Sequence, residues 1–218
     1  MNGLQPMVTE NPFTDLDTAR QYESWYCATG KQAAKQEKQL IRLLISKVVG
    51  VLTVLDVGCG TGYFTDWYSQ LGLRAFGCDR SPAMIHAGLR LHPFDACLGD
   101  ALSLPFPTDA VDLVSFVTTL EFVTDLRLAL SEGLRVARKG LVLGAINRQS
   151  LLGWRYRRKG GPIWGAAHFF TPGELLRLVS EILSQPYNVV CKTTLWPVFK
   201  GSSRLPWGGF MGLAVILS

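Results

Sequence analysis

Short, almost continuous apolar runs alternate along this chain with segments whose apolar residues recur every three or four positions. VLTVLDVG (51–58) reads as a strand and GYFTDWYSQLG (62–72) as a helix closed by Gly72. LRAFGCD (73–79) is the next strand, and SPAMIHAGLRLH (81–92) a helix with Ser81 as cap and Pro82 in its first turn. A short strand DACLGD (95–100), a loop ALSLPFPTDA (101–110) and the strand VDLVSFV (111–117) follow. Then come the helix TDLRLALSEGLRVA (124–137) and a fifth strand, GLVLGAIN (140–147). Strands apolar on both faces, alternating with helices, specify a parallel sheet covered on both sides.

The flanks add helices and closing strands. TARQYESWYCATG (18–30) reads as a short helix, and KQAAKQEKQLIRLLISK (31–47) as a longer one with a stripe at Leu40, Leu43 and Leu44. The segment 148–170 reads as a long connection, of the kind that carries function in compact domains. TPGELLRLVSEIL (171–183) has Thr171 and Glu174 at capping-box spacing, and YNVVCKTTLW (187–196) and GFMGLAVILS (209–218) close the pattern as strands. The expected organisation is an N-terminal helical cap (1–50), an α/β core (51–147), a basic aromatic lid insert (148–171), and a closing helix and strands of the same domain (172–218).

Composition changes this picture in two places. The net charge is +5, but eight of the 22 basic residues and none of the 17 acidic ones fall between Gly133 and Gly173, so the basic character is local. The five cysteines (27, 59, 78, 97, 191) include no CxxC pair and no histidine at ligand spacing, which points to free thiols in a reducing cytoplasm and to no metal site. The longest apolar stretch, LIRLLISKVVGVLTVLDVG, is broken by Arg42, Lys47 and Asp56, so no membrane span is expected. The N-terminus, MNGLQPMVTENPFTD, lacks a basic segment followed by an apolar one, and a cytoplasmic location follows as the expectation.

The candidate chemistry sits where the first strand meets its helix. Gly58, Gly60 and Gly62 imply a backbone that a ligand approaches closely. A dinucleotide fingerprint would require a third small residue at position 63, which is Tyr63. The loop instead reads D-x-G-x-G-x-G. The carboxylate of Asp56 would repel a pyrophosphate and suits a ligand bearing an ammonium group, which favours S-adenosylmethionine over NAD. Asp79 ends the second strand, where an acid can bind ribose hydroxyls, and Asp100 ends the third, where it can accept from an adenine amino group.

With these motifs in place, VLDVGCGTGYF, GCDRSPAMI, GDALSLPFPTDAVDLVSF and RVARKGLVLGAIN, the chain resembles the class I S-adenosylmethionine-dependent methyltransferases. It is most similar to the methyltransferase type 11 subgroup that includes the ubiquinone and menaquinone biosynthesis enzymes. The resemblance covers about residues 20–147 closely. It implies a Rossmann-like, doubly wound α/β fold whose seven-stranded sheet is mostly parallel with an antiparallel last strand, helices lying on both faces. It also implies that Asp56, Gly58, Cys59, Gly60 and Gly62 surround the methionine end of S-adenosyl-L-methionine. Asp79 would bind ribose, Arg80 and Met84 pack beside the adenosine, Asp100 and Ala101 read the adenine, and Thr118 lie beside the methyl group. The expected function is methyl transfer to a small-molecule acceptor, anionic or aromatic in character. The alternative is a catalytically silent cofactor-binding module that regulates a partner protein.

Other residues admit two readings each. Glu121 orients or deprotonates the acceptor, or merely caps the next helix; TTLEFV stands where the family usually bears a histidine. His168 is a base or a structural ring among aromatics, while His86 and His92 read as solvated. Tyr22, Trp25 and Tyr26 form a cap over the ligand or pack as an ordinary helix. WRYRRKGGPIW mixes cations with aromatics, which suits an anionic acceptor, weak association with a membrane surface, or plain solvation. Treated as extended, the segment would alternate its side chains, so only one or two of Arg155, Arg157 and Arg158 would reach substrate, with Arg157 the foremost candidate. A nucleic-acid acceptor is not expected, because TTLE occupies the place of an NPPY-like motif.

Overall fold

The computed structural model describes residues 12–28, 30–183, 186–195 and 201–217, with the side chain of Cys27 not described. Expectations that touch Cys27, Trp196, Ser218 or the N-terminal segment before residue 12 therefore lie outside the described residues. Two helices, α1 (Leu16–Cys27) and α2 (Lys31–Ile45), precede the sheet. The core then alternates β1 (Thr53–Val57), α3 (Tyr63–Gln70), β2 (Arg74–Asp79), α4 (Pro82–Gly88) and β3 (Asp95–Leu98). It continues with β4 (Val111–Val117), a single 3-10 turn at Leu120–Phe122, α5 (Leu126–Val136) and β5 (Ala137–Ile146). Helices α6 (Leu151–Lys159), α7 (Gly161–Ala166) and α8 (Pro172–Ile182) lead to β6 (Tyr187–Thr194) and β7 (Phe210–Leu217).

The seven strands form one sheet in the order β3-β2-β1-β4-β5-β7-β6. β7 runs antiparallel to both β5 and β6, and the β1, β2, β3, β4 and β5 pairs are parallel. The doubly wound sheet with an antiparallel last strand is therefore as expected. Its strand order reverses between β1 and β4, the crevice where ligands of open α/β sheets bind, outside the carboxyl ends of the strands. Two apolar layers sandwich the sheet. Leu55, Phe116, Leu130 and Leu141 anchor one, and Leu40, Leu44, Phe64, Tyr68 and Phe210 the other.

Helix caps formed as the sequence implied. The Ser81 hydroxyl accepts from the Met84 N–H, and Thr171 and Glu174 complete a reciprocal capping box. Three local expectations need correction. α4 ends at Gly88, shorter than 81–92. β5 starts at Ala137, directly after α5, because Val111 pairs with Ala137 and a register shift between Val111 and Leu113 absorbs the step. The segment 148–170 is not an extended loop: Ser150 caps α6 by accepting from the Gly153 N–H, Pro162 opens α7, and Arg157, Arg158 and Lys159 lie in the last turn of α6, where cations favour a helix.

At the amino-terminal edge of the sheet, Asp112 acts as a clamp. Its Oδ2 accepts from the N–H groups of Leu52 (2.9 Å) and Thr53 (3.0 Å), and its Oδ1 meets the cations of Arg138 (3.2 Å) and Lys139 (3.4 Å). Burial opposes ionisation there, but the hydrogen bonds from Leu52, Thr53 and Arg138 outweigh it and hold the carboxyl well below the usual carboxylate range.

Candidate active site

Two adjoining cavities open at the carboxyl ends of the parallel strands. The smaller, about 250 Å³, is lined by Gly58, Gly60, Asp79, Arg80, Met84, Asp100, Ala101 and Thr118, all residues the sequence had assigned to a cofactor. The larger, about 390 Å³, lies beneath α1, α2 and α6. Phe13, Tyr22, Thr118 and Phe122 line both, so the cavities meet at that point.

The glycine loop gets its shape from two forced positions. Gly58 has φ of +70°, and a Cβ there would stand 2.2 Å from Thr119 Cγ2. Gly62 has φ of +79° and would drive a Cβ to 2.5 Å from the Phe94 ring. Side chains rarely adopt such φ values, and here there is no room for one. The loop is pinned from β2: the Asp79 Oδ2 accepts from the Gly60 N–H (2.8 Å) while its Oδ1 accepts from the Ser81 N–H (2.8 Å). Desolvation raises the Asp79 carboxyl, opposed by those two N–H donors and by Arg80. Thr118 has φ of +53°, an outlier for a β-branched residue, held by its N–H donating to the Gly144 carbonyl (2.8 Å).

Asp56, Cys59 and Gly62 are not among the residues lining either cavity. Asp56 is buried beneath the loop and accepts from the Thr65 hydroxyl at 2.7 Å, so its carboxyl supports the start of α3 from below. Cys59 is buried against Gly77. Gly62 is the first residue before α3 and packs on Phe94.

The readings left open resolve by position. Tyr22 and Tyr26 line the larger cavity and share a hydrogen bond of 3.0 Å. Trp25 lines it too. α1 is tied to the loop below by the Glu23 carboxylate, which accepts from the Thr61 hydroxyl (2.5 Å) and meets the His92 ring (2.8 Å). His92, expected to be solvated, is thus half-buried between Glu23 and Asp66, whereas His86 is exposed. The His168 side chain does not line either cavity; its ring lies against Phe170, and the backbone N–H of His168 donates to the Glu121 carbonyl (2.7 Å). Burial, then Arg148, lowers its imidazole.

Because 151–159 is helical, Arg155 and Lys159 share a face one turn apart and line the larger cavity, with Tyr156 between them. Arg157 points elsewhere and donates to the Arg148 carbonyl at 3.3 Å. The expectation that Arg157 faces the acceptor came from assuming an extended segment; in the helix it is Arg155 and Lys159, not Arg157, that line the cavity.

Glu121 is fully buried and lines neither cavity. Its Oε1 accepts from the Ile146 N–H (2.7 Å), joining the end of β4 to the end of β5, and its Oε2 has no partner among the described residues. Glu37, which the sequence reading passed over, is buried and lines the larger cavity. The signal was present: α2 buries Ala34, Glu37, Leu40, Ile41, Leu44 and Ile45, so an acid occupies a slot on the apolar stripe.

Burial pushes Glu121 up to about 7 and, beneath the loop, Asp56 up to about 7 despite the Thr65 hydrogen bond. Both are raised, so the folded chain holds more protons than the unfolded one between the ordinary carboxylate range and neutrality. Their stabilisation is fully present below the ordinary carboxylate range and is lost progressively as pH rises from there through about 7. The thermal midpoint should therefore fall from mild acid to mild alkali. Glu121→Gln should remove a share on the order of 2–3 kcal/mol from that fall. Parallel pH profiles for the two proteins in a melting series would count against the buried-acid account.

Residues 55–143 match the family model described as a methyltransferase domain. Over 91 residues the chain is 36% identical to the malonyl-[acyl-carrier protein] O-methyltransferase of Yersinia pestis, covering 41% of this chain and 34% of that one. Over 103 residues it is 37% identical to the demethylmenaquinone methyltransferase of Renibacterium salmoninarum, covering 45% and 44%. The chain thus spans less than half the length of these relatives. In fold it is similar to an S-adenosylmethionine-dependent methyltransferase from Thermotoga maritima (TM-score 0.77, 23% identity, 93% of this chain and 98% of that one). It is also similar to the magnesium protoporphyrin IX methyltransferase of Synechocystis, solved with bound SAH (TM-score 0.63, 16% identity, 87% and 84%). The sequence match falls on the same strands and loop that shape the smaller cavity, so residues 55–143 are the part of the chain that resembles a methyltransferase domain.

Proposed function

We propose that the chain transfers a methyl group from S-adenosylmethionine to a small acceptor with an aromatic or apolar body and an anionic group. The observation that carries this reading is the meeting of the two cavities at Thr118, Phe13, Tyr22 and Phe122. The smaller cavity fits the cofactor: glycine backbone at the end of β1, a carboxylate at the end of β2 and another just after β3, with Met84 beside them. When bound, S-adenosylmethionine supplies a methyl group already activated on a sulfonium.

The chain's own residues then have three tasks. Asp79 is assigned to the ribose hydroxyls, Arg80 and Met84 to the adenosine, Asp100 and Ala101 to the adenine, and Gly58 and Gly60 to the methionine end. Thr118 and Tyr22 border the gap the methyl crosses, where alignment of the acceptor supplies most of the rate. Tyr26, Tyr156 and Trp164 wall the larger cavity with aromatic surface that excludes water, Tyr156 and Trp164 stacking at 4.1 Å. Arg155 and Lys159 supply positive charge near its mouth, where both are exposed.

Turnover of labelled S-adenosylmethionine against a panel of phenol, quinol, amine and carboxylate acceptors tests the reading. Binding without transfer to any of them would overturn it. With an acceptor in hand, Arg155→Ala and Lys159→Ala should each raise acceptor KM by roughly five- to twentyfold, the scale of a lost charged contact, with kcat nearly unchanged. Arg157→Ala should leave both constants alone. The same KM change in all three would return the segment to a diffuse electrostatic role.

Cytoplasmic placement belongs to this proposal and rests on the free thiols of Cys59, Cys78, Cys97 and Cys191. Among the described residues no helix is long and apolar enough to cross a membrane.

A further inference from the structure

We propose that Glu37 takes the proton released by the acceptor, and that the larger cavity therefore selects acceptors bearing an acidic O–H, a phenol or enol, at one end and an anionic group at the other. This rests on the methyltransferase reading and names its substrate class. Among the described residues lining that cavity, Glu37 is the only acid. It is 4% exposed and lines the cavity, and no hydrogen bond from another described residue contributes to the electrostatics of its carboxyl. A buried carboxyl on the wall of a cavity is a group built to meet a ligand.

Its surroundings come from four elements. α1 brings Tyr22 and Tyr26, whose hydroxyls bond to each other, and α6 brings Tyr156 with Arg155 and Lys159 along the same wall. The turn after β4 brings Glu121, and α2 itself carries Lys38, whose ammonium sits 3.6 Å from the centre of the Tyr63 ring. Desolvation, then the facing Glu121, pushes the Glu37 carboxyl up to about 8, with Lys38 opposing. Proton transfer from a phenol, which ionises near 10, is then uphill by about two units rather than about six for an ordinary carboxylate.

The step balances. As the acceptor oxygen forms its bond to the methyl carbon, the bond from that carbon to the sulfonium sulfur breaks and its electron pair stays on sulfur, leaving a neutral thioether. The acceptor's O–H proton passes to Glu37 and leaves to solvent on the next opening of the cavity. An acceptor without a proton to lose gains nothing from this arrangement.

The test uses the full chain with S-adenosylhomocysteine present and two probes, 4-hydroxybenzoate and its ether 4-methoxybenzoate, titrated by calorimetry. The wild-type protein should bind the phenol about tenfold more tightly than the ether, a difference of about 1.4 kcal/mol. Glu37→Leu should erase that preference. Glu37→Gln, which keeps shape and hydrogen bonding, should retain it but lose at least about a hundredfold in methyl transfer to 4-hydroxybenzoate, the scale of a general base. Transfer by the wild-type enzyme should climb with pH to a plateau above about 8, and this climb should be absent in Glu37→Gln. Failure of the wild-type chain to prefer the phenol, including failure to bind either probe, overturns the proposal. So does a Glu37→Gln enzyme with wild-type transfer and pH profile. S-adenosylhomocysteine affinity is read in every sample: intact affinity confines a failure to Glu37, while loss in the wild type would strike the methyltransferase reading itself.

Discussion

Asp79→Ala should lower affinity for S-adenosylhomocysteine by at least about tenfold, more than Asp100→Ala does. The carboxylate stands at the end of β2 with both oxygens already aligned, one on the Gly60 N–H and one on the Ser81 N–H, each at 2.8 Å. Those bonds leave lone pairs free toward the smaller cavity and fix their direction before any ligand arrives. Removing the carboxylate forfeits the ligand contact, about 1.5–3 kcal/mol for hydrogen bonds to a charged group. It also strands the Gly60 and Ser81 donors and releases the glycine loop. Asp100 is exposed and supports only its own turn, accepting from the Leu102 N–H at 3.0 Å, so its loss should be milder. Calorimetric titration of the variants decides the order, and equal losses would mean that the loop pinning contributes nothing to binding.

Gly58→Ala is expected to be the most damaging small substitution in the loop. The residue sits at φ of +70°, costing an L side chain about 1–2 kcal/mol, and its Cβ would overlap Thr119 Cγ2 at 2.2 Å and Oγ1 at 2.6 Å. Thr119 cannot step aside freely, because its hydroxyl donates to the Val57 carbonyl at 3.0 Å and the residue is buried. Backbone strain and overpacking together predict a loss of roughly 3 kcal/mol or more in denaturant unfolding, with cofactor binding lost in parallel. Adding Thr119→Ala removes the two nearest clashing atoms. The double variant should recover at least about 1 kcal/mol relative to the sum of the single changes, a coupling expected of touching residues. Strict additivity would show that the clash is relieved by some other movement.

These expectations draw on features of unequal visibility in the sequence. The strand–helix alternation, the glycine loop and the acids at the ends of the second and third strands were legible because each is local: a run, a spacing, a strand end. The third acid was visible but misdirected. Asp56 has the right position along β1, yet its pleat sends it under the loop to Thr65, and strand-end position alone does not reveal which way the last side chains face. Arg157 was misplaced because the aromatic and basic residues of 154–159 hid a weakly amphipathic helix, and the change from extended to helical period shifts the inward positions to 155 and 159. Glu37 was missed for the opposite reason. A single acid within a lysine- and glutamine-rich helix looks like surface, and only the assembled wall of α1, α2 and α6 makes it interior. His168 needed tertiary contact as well, since its placement against Phe170 and away from both cavities depends on how the chain returns to β5.

The Asp112 clamp gives the sheet a polarity of its own. At the amino-terminal edge, the amides of Leu52 and Thr53 and the cations of Arg138 and Lys139 are gathered by a charged carboxylate, whereas at the ligand end Asp56, Glu37 and Glu121 sit most comfortably uncharged. Strong acid therefore discharges the first edge while leaving the second content, and alkali charges the second while leaving the first intact. The two ends of one set of strands lose stabilisation under opposite conditions. On the alkaline side the electrostatic cost falls on the end that carries the glycine loop and the cavities, while the clamp at the other edge keeps its charge.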